Sequence, residues 1–106
     1  MPFPVNDLLA ELKSRLTALY GEHLKGLCLY GSYARGEQQI GSDVDVLIIV
    51  DRFDRYTAEI DRTSELVSEL SLKYRHSISR LFVSEDDWNN RDTPFLANAR
   101  EEAIRA

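Results

Sequence analysis

A chain of 106 residues with 43% hydrophobic and 29% charged residues has room for one modest core, and not for a catalytic unit beside a separate substrate-binding unit. Its net charge of −5 argues against a general nucleic-acid binder, whose affinity rests on a basic surface, and favours a basic protein partner. No apolar run approaches the ~20 residues of a membrane-spanning helix, the N-terminus lacks the basic-then-apolar layout of a secretory signal, and the single cysteine forms no internal disulfide. A reducing cytoplasm is the expected setting.

In chain order, Asn6 is placed to cap a helix with Asp7 in its first turn. Val5, Leu8, Leu9, Leu12, Leu16, Leu19 and Tyr20 then repeat with a helical period up to Gly21. A strand is expected from Leu24 to Tyr30, with Cys28 in the core between leucines. Gly31-Ser32 follows at once. A glycine after a strand lets the backbone turn and approach a ligand closely, and Ser32 is placed to cap a short helix, to about Glu37, whose free N–H groups face an anion. Arg35, one turn in, reads either as a salt bridge to Glu37 or a neighbouring acid, or as an orienting contact near phosphates or aspartates.

Gly41-Ser42 returns the chain to a second apolar run, Val46 to Val50, with Asp43 and Asp45 at its start. Side chains two apart on a strand project to the same face, so the two carboxylates converge. They repel unless a cation lies between them. Mg²⁺, which prefers hard oxygen ligands and commonly combines one or two carboxylates with the phosphates of its substrate, is the natural ion. A triphosphate fits both the glycine turn and the carboxylate pair.

Asp51 reads as turn chemistry at the strand's end. The longest helix is expected from Tyr56 to Tyr74, with Ile60, Leu66, Val67, Leu70 and Tyr74 on one stripe. A third strand spans about Ser77 to Val83, parallel or antiparallel to the second. Ser84 caps a helix opening with Glu85, Asp86 and Asp87, and Thr93-Pro94 opens the last helix, whose apolar face is Phe95, Leu96, Ala99 and Ile104. Trp88 and Phe95 close the end of the core or form a partner patch; His23 and His76 read as lone surface residues. The sum is a single α/β (α+β) domain over residues 1–106, a mixed sheet of three or four strands with helices mainly on one face.

Gly31, Ser32, Arg35, Gly36, Ser42, Asp43 and Asp45 carry a resemblance. A Gly-Ser turn, a spacer of ten residues and Asp-x-Asp together resemble the nucleotidyltransferase fold of the DNA polymerase β superfamily, most closely its minimal members, the MNT proteins. The resemblance implies transfer of a nucleoside monophosphate, AMP from ATP, to a hydroxyl with release of pyrophosphate. It makes Asp43 and Asp45 the catalytic and metal-binding residues, with Mg²⁺ as cofactor and two ions possible, and Gly31, Ser32, Arg35 and Ser42 the nucleotide-binding residues. Members of full type carry a third carboxylate on the third strand, which serves as base and helps hold the second metal. Here Ser79 aligns with that position and leaves it vacant of carboxylate. Small MNT proteins are typically paired with a HEPN-domain toxin, which they neutralise by adding AMP to a tyrosine, so a HEPN-domain protein is the expected partner and nucleic acid is not expected as a direct ligand. Two other readings stand beside this one: an antitoxin that neutralises its partner by binding alone, and transfer to a small molecule, whose known enzymes usually have extra C-terminal helices.

Overall fold

The computed structural model describes residues 4–106. The chain runs α1 (Val5–Tyr20), a 3₁₀ turn (Gly21–His23), β1 (Leu24–Tyr30), α2 (Gly31–Arg35), β2 (Val44–Val50), α3 (Tyr56–Tyr74), β3 (Ile78–Ser84), α4 (Glu85–Asn90), α5 (Pro94–Glu102) and β4 (Ile104–Arg105). The sheet has four strands in the order β3-β2-β1-β4. β1 is antiparallel to β2 and to β4, whereas β2 and β3 are parallel, α3 supplying the crossover that parallel neighbours require. β2, an inner strand, is buried on both faces, as its unbroken Val-Leu-Ile-Ile-Val run requires.

The two faces differ. Leu27 and Leu29 of β1, Val44, Val46, Ile48 and Val50 of β2, and Ile78 and Phe82 of β3 pack under the buried stripes of α1 and α3. On the other face Cys28, Leu47, Ile49 and Val83 meet Leu96 and Ala99 of α5 in a smaller core. The long helices thus share one face, and a short one covers part of the other. The Cys28 thiol is buried, with its pKa pushed up chiefly by desolvation, as a core cysteine should be.

Several local expectations are corrected by nonlocal packing or backbone geometry. Asn6 does not cap α1: the Pro4 carbonyl accepts from the Asp7 and Leu8 N–H groups at 3.1 and 3.2 Å, so the helix starts earlier and Asn6 lies inside it. Leu19 falls on the flank of the buried stripe and is exposed. Ser32 is likewise inside α2, because the chain turns at Gly31 and Tyr30 takes the cap position. Ile104 has left α5: Ala103 is extended, and Ile104–Arg105 adds to the outer edge of β1, with Leu29 opposite Ile104. His23 is not alone, since Asp51 pairs with it.

α3 also buries Glu59 and Thr63, which its apolar period did not reveal. Tyr20 donates its hydroxyl hydrogen to Glu59 at 2.7 Å. Arg80 of β3 donates from Nε to the Thr63 hydroxyl and from Nη2 to the Ile60 carbonyl, both at 2.9 Å. These bonds satisfy groups whose burial would otherwise cost on the order of 1–3 kcal/mol each.

Candidate active site

The candidate residues gather where β1 ends and β2 begins. Tyr30, the last residue of β1, pairs in register with Asp45. Alternation along β2 sends Val44 and Val46 into the core under α1 and α3, so Asp45, and Asp43 before the strand, belong to the face that α5 leaves partly open. Asp45 is partly buried and Asp43 exposed. Burial first and the charge of Asp43 second push the Asp45 carboxyl above its ordinary range, while Arg35 pulls it back. The Tyr30 hydroxyl is also pushed up, by burial and then by the charge of Asp45.

Gly31 explains how closely the turn approaches this pair. Its φ is +73°, a conformation that L side chains rarely adopt, and a Cβ there would collide with the Asp45 carboxylate. The glycine therefore lets backbone lie directly against the Asp45 carboxylate. Ser32 follows within the first turn of α2. Among the described residues no hydrogen bond engages its hydroxyl, although its carbonyl accepts from Glu37 N–H at 2.9 Å. Gly36, at φ +71°, ends the helix with its N–H directed at the Ser32 and Tyr33 carbonyls.

Arg35 takes the salt-bridge placement of the two its position permitted. Its guanidinium pairs with Glu37 at 3.2 Å and with Glu102 of α5 at 3.5 Å, and its charge reaches Asp45. Ser42 has a turn-closing role: its hydroxyl accepts from Gln39 N–H at 2.9 Å, and its own N–H donates to the Gln39 carbonyl at 3.0 Å. That pair of bonds fixes the loop that delivers Asp43.

Ser79 is the register partner of Asp45 in the parallel ladder and is exposed. Residues paired in this way project to the same face, so a carboxylate at this position would stand beside Asp45. Glu85, Asp86 and Asp87 lie beyond the end of β3, in the first turn of α4, which the Ser84 hydroxyl caps by accepting from Asp87 N–H. Among the described residues no group of three or more His, Cys, Asp or Glu could hold a metal ion. The donor set is a carboxylate pair. It fits Mg²⁺ as that ion binds with nucleotides, where phosphate oxygens and water supply the other ligands, and the raised Asp45 carboxyl is the group a cation would relieve.

Sequence reasoning missed Phe95 as a neighbour of this site. Its ring, 45% exposed, stands edge-on to Tyr30 with the centroids 5.8 Å apart. The two residues meet only because α5 folds back across the sheet. No local pattern announces that contact.

A mixed α/β sheet with a glycine turn pressed against a same-face carboxylate pair defines the class: a nucleotidyltransferase fold. The chain belongs to the nucleotidyltransferase domain family, whose model matches residues 9–99. It is 33% identical over 93 residues, 87% of both chains, to "Putative protein adenylyltransferase MJ0604" of Methanocaldococcus jannaschii. It is 36% identical over 79 residues, 74% of this chain and 79% of the other, to "Putative protein adenylyltransferase MJ0141" of the same organism. Among solved structures, the fold is similar to a mutant of the toxin–antitoxin MntA–HpeT, with a TM-score of 0.61 at 16% identity over 92% of this chain and 70% of that one. A toxin–antitoxin with AMP-PNP gives a TM-score of 0.61 at 18% identity, over 90% and 69%. At such identities the likeness concerns the fold. No helix among the described residues is long and apolar enough to cross a membrane.

Proposed function

We propose that this chain, acting as one minimal domain, transfers AMP from ATP to a hydroxyl on a protein partner, a HEPN-domain toxin, and so serves as the antitoxin of a cytoplasmic pair. The observation that carries the reading is Gly31 packed against Asp45: a turn with no side chain beside a carboxylate pair in which burial and the charge of Asp43 push the Asp45 pKa up. The naming of the M. jannaschii relatives as adenylyltransferases supports the nucleotide. The fold shared with a toxin–antitoxin supports the kind of partner.

Each residue has a part in this reaction. Asp43 and Asp45 would hold Mg²⁺, with room in principle for a second ion if the acceptor or the phosphates complete its shell. An ion held by these two carboxylates would supply compensation for the charge that develops during phosphoryl transfer. Backbone at Gly31 and the hydroxyl of Ser32 orient the triphosphate tail. Arg35 exchanges a carboxylate partner for phosphate, and Ser42 keeps the loop before Asp43 in shape. The hydroxyl's proton leaves to solvent or to phosphate, since Ser79 offers no base. Positioning and electrostatics dominate, as expected for phosphoryl chemistry.

Ser79 opposite Asp45 favours a second reading, an antitoxin that blocks its partner by contact without transferring a nucleotide. One experiment separates the two. The chain is incubated with Mg²⁺, ATP labelled at the α-phosphate and the product of the neighbouring gene. Transfer of label to that protein, lost in Asp43→Asn/Asp45→Asn and with chelator, is the expected result. An unlabelled partner that is neutralised equally by wild type and variant selects the binding reading.

A further inference from the structure

In-line displacement dictates the direction from which the acceptor comes. Attacking and leaving oxygens stand on opposite sides of the phosphorus. With the pyrophosphate end at Gly31 and Ser32, on the β1–α2 side of the carboxylates, the hydroxyl arrives from the β3 side, past Ser79. Two residues along the same face of β3, roughly 6–7 Å away, Leu81 lines a cavity of about 290 Å³, together with Phe53, Phe95 and Leu96 and with Asp87 and Arg91. Phe95 joins this cavity to the site, because its ring is in contact with Tyr30, the partner of Asp45 in the β1–β2 ladder. The Thr93 cap and Pro94 at the start of α5 fix the backbone that carries it. That phenylalanine is nearly half exposed, so its burial contributes little to the core it borders.

We infer that this cavity is the acceptor subsite and that it receives an apolar side chain next to the hydroxyl-bearing residue of a polypeptide. The inference rests on the nucleotidyl-transfer reading and adds to it the place and the chemistry of acceptor recognition. Three observations select this occupant. The cavity is a little smaller than the range of about 300–1,000 Å³ typical of pockets for drug-sized ligands, which suits one side chain rather than a whole small-molecule acceptor. Its lining is mainly aliphatic and aromatic. Its one cation, Arg91, already stands 3.7 Å from Asp87, while the neighbouring Glu85 and Asp86 are exposed. With Asp43 and Asp45 the surroundings are acidic, so basic residues on either side of the apolar one are preferred. A strand-like segment could lie beside β3, the edge of the sheet. Its reach is limited, because the Tyr56 hydroxyl already accepts from Phe82 N–H.

The test is an amide-resolved NMR titration of the full chain with a blocked Lys-Leu-Tyr-Leu-Lys peptide and, separately, with Mg·ATP. The peptide is expected to shift the amides of Leu81 and Val83 and those of Arg91, Asp92, Thr93, Phe95 and Leu96, whereas Mg·ATP shifts those of residues 31–33 and 43–45. Phe95→Ser should weaken the peptide at least tenfold and leave the ATP shifts unchanged, and Leu81→Arg should do the same where its spectrum shows a native fold. A Glu-flanked peptide should bind several-fold more weakly than the Lys-flanked one. Absence of peptide shifts at these amides, or unchanged peptide affinity in Phe95→Ser, overturns the inference. Peptide shifts as expected without any effect of Mg·ATP would instead remove the nucleotidyl-transfer reading and leave a peptide-binding cavity in place.

Discussion

β2 is bracketed by acids, and the two ends treat them in opposite ways. Beyond its C-terminal end, Asp51 accepts from Arg52 N–H at 2.7 Å and lies 2.6 Å from His23 Nδ1, and its pKa is held down, chiefly by the His23 contact. At the N-terminal end, Asp45 is desolvated beside Asp43, and its pKa is held up. The strand supplies the same scaffold to both, so the difference lies in the partners. Asp51 is complete within the protein and ties the turn after α1 to the end of the sheet. Asp45 is left with a cost that folding alone does not offset, which fits the cation proposed for the pair.

Exchanging each acid for its amide is the strongest way to break the comparison. Asp45→Asn should lower nucleotide transfer on the order of 10³-fold, since a lost metal ligand removes several kcal/mol of transition-state stabilisation at about 1.4 kcal/mol per tenfold. It should also raise the melting temperature of the ligand-free protein. The sign follows from linkage. A carboxyl whose folded pKa is raised favours the fold below its unfolded pKa, near the ordinary 3.8, and that contribution is lost as pH rises through the folded value. The stabilisation of Asp45→Asn over wild type should therefore be largest at neutral pH and shrink as the solution is acidified. Asp51→Asn should show the reverse. Its depressed pKa adds stability that is present above the unfolded pKa and is lost as pH falls through the folded one, so the variant melts lower at neutral pH while transfer is little changed. Thermal melts from pH 3 to 8 with parallel activity assays check both. An Asp45→Asn that melts below wild type at neutral pH would remove the contrast.

Ligand addition sharpens the same contrast. Mg·ATP at a hundred times its Kd should stabilise wild type and Asp51→Asn by about 2.7 kcal/mol, and should do nothing for Asp43→Asn/Asp45→Asn. ATP with chelator should stabilise none of them appreciably. A melt shifted equally in the presence and absence of metal would show that the carboxylates hold no ion with the nucleotide.

Gly31 comes next in size. Gly31→Ala places a Cβ at positive φ, which costs roughly 1–2 kcal/mol, and sets it against the Asp45 carboxylate. Nucleotide affinity should fall along with stability. Combining it with Asp45→Ala removes the collision and not the φ strain, so the double variant should be more stable than the sum of the two single effects predicts. Strict additivity would mean that the glycine is needed for its backbone angle alone.

How far the sequence discloses such details depends on how local their causes are. β1 and α3 have the predicted bounds, and Ser84 and Thr93 cap the helices they were expected to cap, because those signals lie within a few residues of their effects. Asn6 and Ser32 carried equally good cap chemistry, yet Pro4 and the turn at Gly31 start those helices earlier. Strand pairing is where local reading ends. Ile104 continues the apolar period of α5 but serves β1, and the choice between a parallel and an antiparallel β3 rests on a crossover that periodicity does not encode. In the site, the carboxylate pair and the glycine turn were legible as a motif. The collision a side chain at Gly31 would meet, the pairing of His23 with Asp51 and the contact of Tyr30 with Phe95 were not, since each joins residues that only the folded sheet brings together.

The smallest expected effect belongs to Ser79, and it bears on whether the unfinished end of β2 is a slow catalyst or a spent one. Ser79 stands opposite Asp45 in the parallel ladder and is exposed, so Ser79→Asp puts a carboxylate beside the existing two with little disturbance of packing. In the ligand-free protein the added charge should raise the Asp45 pKa further and lower the melting temperature at neutral pH, a loss that Mg²⁺ or Mn²⁺ should reverse. With metal and ATP present, the new group can take the proton of the attacking hydroxyl or complete the shell of a second ion, and transfer to the partner should rise about tenfold, less than the roughly 10²–10⁴-fold that a well-placed general base contributes. The gain should vanish with chelator. If wild type already transfers AMP rapidly and Ser79→Asp abolishes it, then two carboxylates suffice and the serine is the working residue at that position. If neither protein transfers while both neutralise the partner, the open end of β2 serves contact and not catalysis.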